Sequence, residues 1–542
     1  MNLKMSISKH ALHRNRVKTV NYKCQKKMLL SFLLLYQIQH SFANIIPSVC
    51  HGNHWNSLLC IGVTSQKDLR DGISNALGIV SPPQFDSLEI THSQLNFLGP
   101  DLNKKLYQQV QNLKISNSNL SNVQSEAFIG FSHLQSLKIE SSNILMIDLA
   151  AFHGLPNLKM LQLSEVKVKR LPWGLFDRLP YLIKLELIDC QPEFIDRNVF
   201  HNLNTLKELV LTKNALTKLP VNLLRPLISI ETLMLNDNKL ETLDLKGLKH
   251  LHSLFLQKNY ISTIPRHFFQ ANRNLRVLVL DDNGISDLEW DVFADLPQLE
   301  ILGLMHNTIS KLHPLIFRTT TNLHTLNLAA NQISKLDSNT FNGLTRLANL
   351  NLMDNRLETL PDGLFSKNLH LSFLDLSANN LKSISPTNFR HLRSLASLKL
   401  KGNEISDIHG EAFRDLALLQ VLDLDNNEIR EIDAGLFGNL KKLRVLVLAN
   451  NYLRNLPNGI FNGLTSIESI ELEENGNEDA QRDDDVANGR FRIGGQHDNI
   501  YNRLRNFANL RILRRPGERL FMRDAKKGRI FVGDRERRTA RA

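Results

Sequence analysis

Residues 323–346 read LHTLNLAANQISKLDSNTFNGLTR, and residues 347–370 restate the same skeleton as LANLNLMDNRLETLPDGLFSKNLH. Apolar anchors stand at Leu323, Leu326, Leu328, Ile333, Leu336 and Phe341, and 24 residues later at Leu347, Leu350, Leu352, Leu357, Leu360 and Phe365; Asn331 and Asn355 hold the ninth position. Outward from this pair the pattern restarts at 85, 110, 134, 158, 182, 206, 230, 251, 275, 299, 371, 395, 419, 443 and 467, giving seventeen copies, one of only 21 residues and the last truncated. The x-L-x-L core alternates, which puts its leucines on one side of a short strand. One such unit cannot bury its apolar face alone, so neighbours must stack. The spacing predicts a solenoid with its strands in parallel register.

The chain outside the repeats is different in kind. Residues 1–27 carry eight Lys or Arg and no acid, an apolar run follows from Met28 to Tyr36, and Ser41-Phe42-Ala43 ends it on small residues. Basic, apolar, then small-x-small is the pattern of a secretory leader over residues 1–43, and the apolar run is about half the ~20 residues a membrane span needs. The whole chain has 542 residues and a formal charge of +12. That charge belongs to its ends: residues 476–542 hold 17 basic and 10 acidic residues, while 28–475 sum to −3. A near-neutral central body argues against a nucleic-acid partner.

The 24-residue period with its late Phe resembles the extracellular leucine-rich repeat proteins, among them Toll-type receptor ectodomains, Slit-type guidance proteins, the acid-labile subunit and insect leucine-rich immune proteins. The resemblance covers residues 85–475. It implies an α/β-type solenoid, a horseshoe with a parallel concave β-sheet, and a recognition or adhesion role without catalysis, extracellular and secreted. Departures are a cysteine flank reduced to Cys50 and Cys60 at the N-terminal end and none at the C-terminal end.

Terminal repeats need caps. Residues 44–84 are the expected N-terminal cap, with Cys50 and Cys60 read as a disulfide hairpin in an oxidising compartment. Residues 476–542 form an acidic-then-basic tail in which Ile500, Leu504, Phe507, Leu510 and Leu513 recur at helical spacing. Either a capping helix with a solvated tail or a segment binding a polyanionic glycan or an anionic membrane fits that composition. Arg535, Arg537 and Arg538 resemble a proprotein-processing site, and Asn119 opens an N-glycosylation sequon with Leu120 and Ser121.

A ligand would meet the strand side chains that point away from the core. From the sixth repeat on these include Val210, Met234, Phe255, Val279, Ile301, Met305, Met353 and Phe373, with acids Asp237, Asp281, Asp282 and Asp354 beside them. One reading is an apolar stripe for a protein or lipidic partner. Two others are β-propensity alone and burial in a homodimer. Phosphate loops, zinc signatures and nucleophile elbows are missing from the sequence, so no enzyme, cofactor or metal is expected.

Overall fold

The computed structural model describes residues 49–52, 56–79, 85–98 and 107–475, together with the backbone of three short strands at 492–493, 511–513 and 519–520. These residues fall into two compact units: one runs to Lys169 and includes Gly174–Tyr181, the other takes Arg170–Trp173 and everything from Leu182 on.

The first unit opens on an antiparallel hairpin, Val49–Gly52 against Ser57–Ile61, that sets Cys50 opposite Cys60; the two are joined as a disulfide. Helix Gln66–Ile79 follows. Its start is capped by Ser65, whose hydroxyl accepts the Asp68 N–H at 3.1 Å. The helix crosses directly over the disulfide. A Cβ on Gly72 would meet the Cys50 sulfur at 2.9 Å, so the crossing needs glycine at this point. Ser57–Ile61 then pairs in parallel with Ser87–Thr91, and strands Asn112–Ser116, Ser136–Glu140 and Met160–Ser164 continue the sheet. The hairpin covers an edge that would otherwise leave backbone groups unpaired.

The second unit carries parallel strands at the repeat spacing from Lys184–Ile188 through Ser469–Glu471. In every one the leucine or isoleucine between the two outward residues is buried, from Leu209 to Ile470. After each strand from Glu208–Val210 on, the asparagine does the turning, and Cys190 holds that place after Lys184–Ile188. Asn355 donates from Nδ2 to the carbonyls of Leu328 (2.9 Å) and Leu352 (3.1 Å), while its Oδ1 accepts the Ile333 N–H (3.0 Å). One amide therefore satisfies groups of two consecutive repeats, and the same set recurs at Asn331, Asn379 and Asn427. In the first unit serines replace it: Ser93 and Ser118 accept the N–H of Val63 and Ser93, at 3.1 and 3.2 Å. Val166, which has no such group, is simply buried.

The returning side is built of turns closed by bonds to the carbonyl three residues back, as in Phe341–Leu344 and Leu344–Leu347. The phenylalanines stack there in a ladder, Phe293, Phe317, Phe341 and Phe365 following one another at 6.1–6.3 Å. The ladder is interrupted at two successive repeats of this unit, where Leu224 and Leu245 stand in place of Phe. The second of these, the 21-residue repeat, also lacks three residues of its returning segment. A cavity of about 610 Å³ opens beside it, walled by Leu245, Leu256, Ile261, Ile264, Phe268 and Phe269.

At the far end, Arg511–Leu513 pairs in parallel with Ser469–Glu471 and antiparallel with Arg519–Leu520. This corrects the expected helix where the structure describes it: residues 511–513, including Leu513, are strand. The edge of Ser469–Glu471 presents unpaired N–H and C=O groups, and only an extended segment can satisfy them. Residues 500–510 lie outside the described residues, as do the leader and Arg535, Arg537 and Arg538.

Candidate functional site: the outward face of the second sheet

Strand register decides which outward side chains are neighbours. Val210, Met234, Phe255 and Val279 stand directly side by side on four consecutive strands. Val277 pairs with Ser253 on one side and Ile301 on the other, forming a second, shorter apolar row. Val210 is only 4 % exposed, so the row offers a partner Met234, Phe255 and Val279 rather than all four. Ile301 is 40 % exposed and is the most open apolar side chain of this patch.

The sequence-predicted set does not stay together beyond that. Register carries the first row from Val279 to Gly303, Asn327, Asn351 and Asp375, which ends it. Met353 lies past the end of strand Asn349–Asn351, and Phe373 lies on the following strand. Lys399 sits over the Phe373 ring at 5.2 Å while also reaching Asp375 at 3.4 Å, so that ring is covered from within the chain. The compact part of the patch is Met234, Phe255, Val277, Val279, Ile301 and Met305.

Charge brackets the patch along the sheet. On one side Lys184 contacts Glu186 (2.8 Å) and Glu208 (2.9 Å); on the other Lys401 contacts Asp425 (2.7 Å). The last strands are acidic. Burial, then like charges nearby, pushes the carboxyls of Asp423, Glu471 and Glu473 above the ordinary range. The residue after each strand turn takes a left-handed φ, +56° at Asp237, +53° at Asp282, +52° at His306 and +56° at Asp354. Asp and Asn tolerate that conformation best among side chains other than glycine.

Asp281 behaves unlike the other acids. Its carboxylate is folded onto the bare backbone of Gly303, where a Cβ would lie 2.7 Å from Oδ1, and Oδ1 accepts the Met305 N–H at 2.7 Å. Position in the repeat gives no warning of this, because it depends on a glycine in the next repeat. Cys50 and Cys60 are bonded as expected, Cys190 is buried with its Sγ donating to the Ile188 carbonyl at 3.6 Å, and Asn119 is exposed. Among the described residues no group of three or more His, Cys, Asp or Glu is placed to hold a metal ion, and no helix is long and apolar enough to cross a membrane.

The model of the leucine rich repeat family matches in nine overlapping segments that cover residues 108–216 and 249–476, more than half of the chain. The chain belongs to the leucine-rich repeat family. Comparison with curated proteins finds no match. Solved structures share the fold. The Drosophila Toll–Spatzle complex matches with a TM-score of 0.60 at 19 % identity, over 81 % of this chain and 62 % of the Toll-complex chain. The TLR13–ssRNA13 complex matches at 0.50 and 20 % identity, over 86 % of each chain. A plant peptide hormone receptor, RGFR1 in complex with RGF2, matches at 0.54 and 23 %, over 72 % of this chain and 67 % of the receptor chain. This leucine-rich repeat chain therefore resembles Toll-type ectodomains in fold. One of these neighbours is a complex with RNA, so the exclusion of nucleic acid drawn from charge finds no support in the fold.

Proposed function

We propose that the chain is a secreted, extracellular recognition protein that binds a protein partner on the outward face of the second unit's strands, with a role in innate immunity. The observation that carries this reading is the in-register apolar row Met234–Phe255–Val279 with Ile301 and Met305 beside it. Nothing in the fold requires apolar side chains there: the same outward positions two strands on are Thr325 and Asn327, with the core unchanged. An apolar patch on an otherwise polar sheet is a common mark of an interaction site. The leader over 1–43 and the Cys50–Cys60 disulfide support an oxidising, extracellular setting. Immunity is favoured by the Toll–Spatzle and TLR13 likenesses, and no catalytic role is proposed. Phe255→Glu and Met305→Glu are expected to abolish capture of the partner from body fluid while leaving melting unchanged. Unaltered capture would overturn the reading.

A second reading, adhesion at a matrix or cell surface, rests on the 14 Arg and 2 Lys that follow residue 489. Retention on a heparin column with and without residues 490–542 tests it. Equal retention removes the polyanion-binding tail from consideration.

A further inference from the structure

The carboxylate at the end of the apolar row has a structural role that can be separated from its charge. In the repeats that follow, the outward residue at the end of the strand accepts the N–H two residues on: Asn327 for Ala329 (3.2 Å), Asn351 for Met353 (3.0 Å), Asp375 for Ser377 (3.0 Å) and Asp423 for Asp425 (3.1 Å). Gly303 has no side chain to do this for Met305. Asp281 reaches over from the preceding repeat and supplies the oxygen instead. An amide serves equally well at 327 and 351, so the bond explains the oxygen and leaves the negative charge unexplained.

No ion pair to Asp281 exists among the described residues: His306 is engaged by Asp282 at 2.8 Å, and Lys258 points to Asp237 at 3.8 Å. Burial pushes the Asp281 carboxyl up against the lowering effect of the Met305 N–H bond; Asp282 adds to the rise, and His306 opposes it. Holding an unpaired carboxylate partly out of water destabilises a fold, and groups kept at such a cost cluster at functional sites.

We propose that Asp281 receives a cationic group, a guanidinium or an ammonium, which a protein partner carries within the apolar surface it lays on Met234, Phe255 and Val279. This rests on the binding reading above and narrows it: the partner's patch has a lysine or arginine at the Gly303 end. A charge pair closed off by apolar contact is worth more than one in open water.

Dodecylguanidinium below its micelle-forming concentration is a suitable probe, its alkyl chain standing for the apolar contact and its head for an arginine. Titration calorimetry is expected to show binding to the wild-type chain, weakened at least tenfold by Asp281→Asn and weakened by NaCl, with no binding of dodecanoate. Asp281→Asn keeps the acceptor for Met305, so its melting temperature should equal or exceed the wild type. A purely structural role, which the amide oxygen would fill as well, predicts unchanged affinity, and that result overturns the proposal. Phe255→Ser separates the two readings. If it abolishes binding while Asp281→Asn does not, the cation site falls and the apolar face stands. If neither substitution alters binding, both fall.

Discussion

The asparagine at the turn is where a single residue most constrains the fold. Replacing Asn355 by Leu would strand the Ile333 N–H and the carbonyls of Leu328 and Leu352, all within the core. A buried group left without its partner costs about 1–3 kcal/mol. Asn355→Leu should therefore destabilise the second unit by about 2–3 kcal/mol in urea titration, whereas an exposed asparagine such as Asn349 should tolerate the change. Asp281 gives the opposite sign. Its folded carboxyl titrates above its unfolded one, so the folded state keeps a proton that the unfolded chain has already released. Stability from this group is full below the ordinary carboxylate range and is lost as pH rises through the raised value. Asp281→Asn should be stabilising at pH 7, with the gain vanishing near pH 3 in paired melts. The ninth-position asparagines were legible in the sequence because they obey its period. Asp281 was placed only at the edge of the stripe, because its position depends on pairing with a glycine 22 residues away.

Strands and returning segments follow from the leucine period for a simple reason: the fourth and sixth positions are buried in every repeat. The returning side is less uniform. Where the Phe ladder is unbroken, Phe341 is fully buried between Phe317 and Phe365. Phe341→Ala should cost about 3–5 kcal/mol, as large-to-small changes in packed cores do. Beside the short repeat the logic reverses. Leu245 borders open space, so Leu245→Phe should gain about 0.5–2 kcal/mol by filling it. A loss instead would mean that the shortened segment holds Leu245 where a ring cannot enter. The terminal strand shows a limit of reading by period. Leu510 and Leu513 fit a helix by spacing, yet 511–513 is extended, because an unpaired sheet edge outweighs local spacing. The apolar patch was half legible: alternation identified every outward residue, but register alone showed that Met353 and Phe373 stand apart from the rest.

At the scale of the molecule, a solenoid's repeats contact mainly their neighbours, so stability is local and its opening can be followed strand by strand. The acidic end of the second unit offers a test. Asp423, Glu471 and Glu473 all have raised carboxyl pKa values, caused first by burial and only then by neighbouring acids. Each favours the folded state at low pH and loses that contribution as pH rises through its folded value. Hydrogen exchange in strands Val421–Asp423 and Ser469–Glu471 should accelerate as pH rises above the ordinary carboxylate range, beyond the intrinsic chemical rate. Strands Thr325–Asn327 and Asn349–Asn351, which carry no such acids, should show only the intrinsic change. Salt separates the two causes. Repulsion between acids near the surface is screened by added NaCl, while the desolvation of a half-buried carboxylate is not. With burial the larger cause, 0.5 M NaCl should restore only the smaller part of the lost protection, and Asp423→Asn with Glu471→Gln should restore most of it. Full restoration by salt alone would reverse that ranking and make this end of the sheet a repulsive surface, held in place by whatever cation it meets.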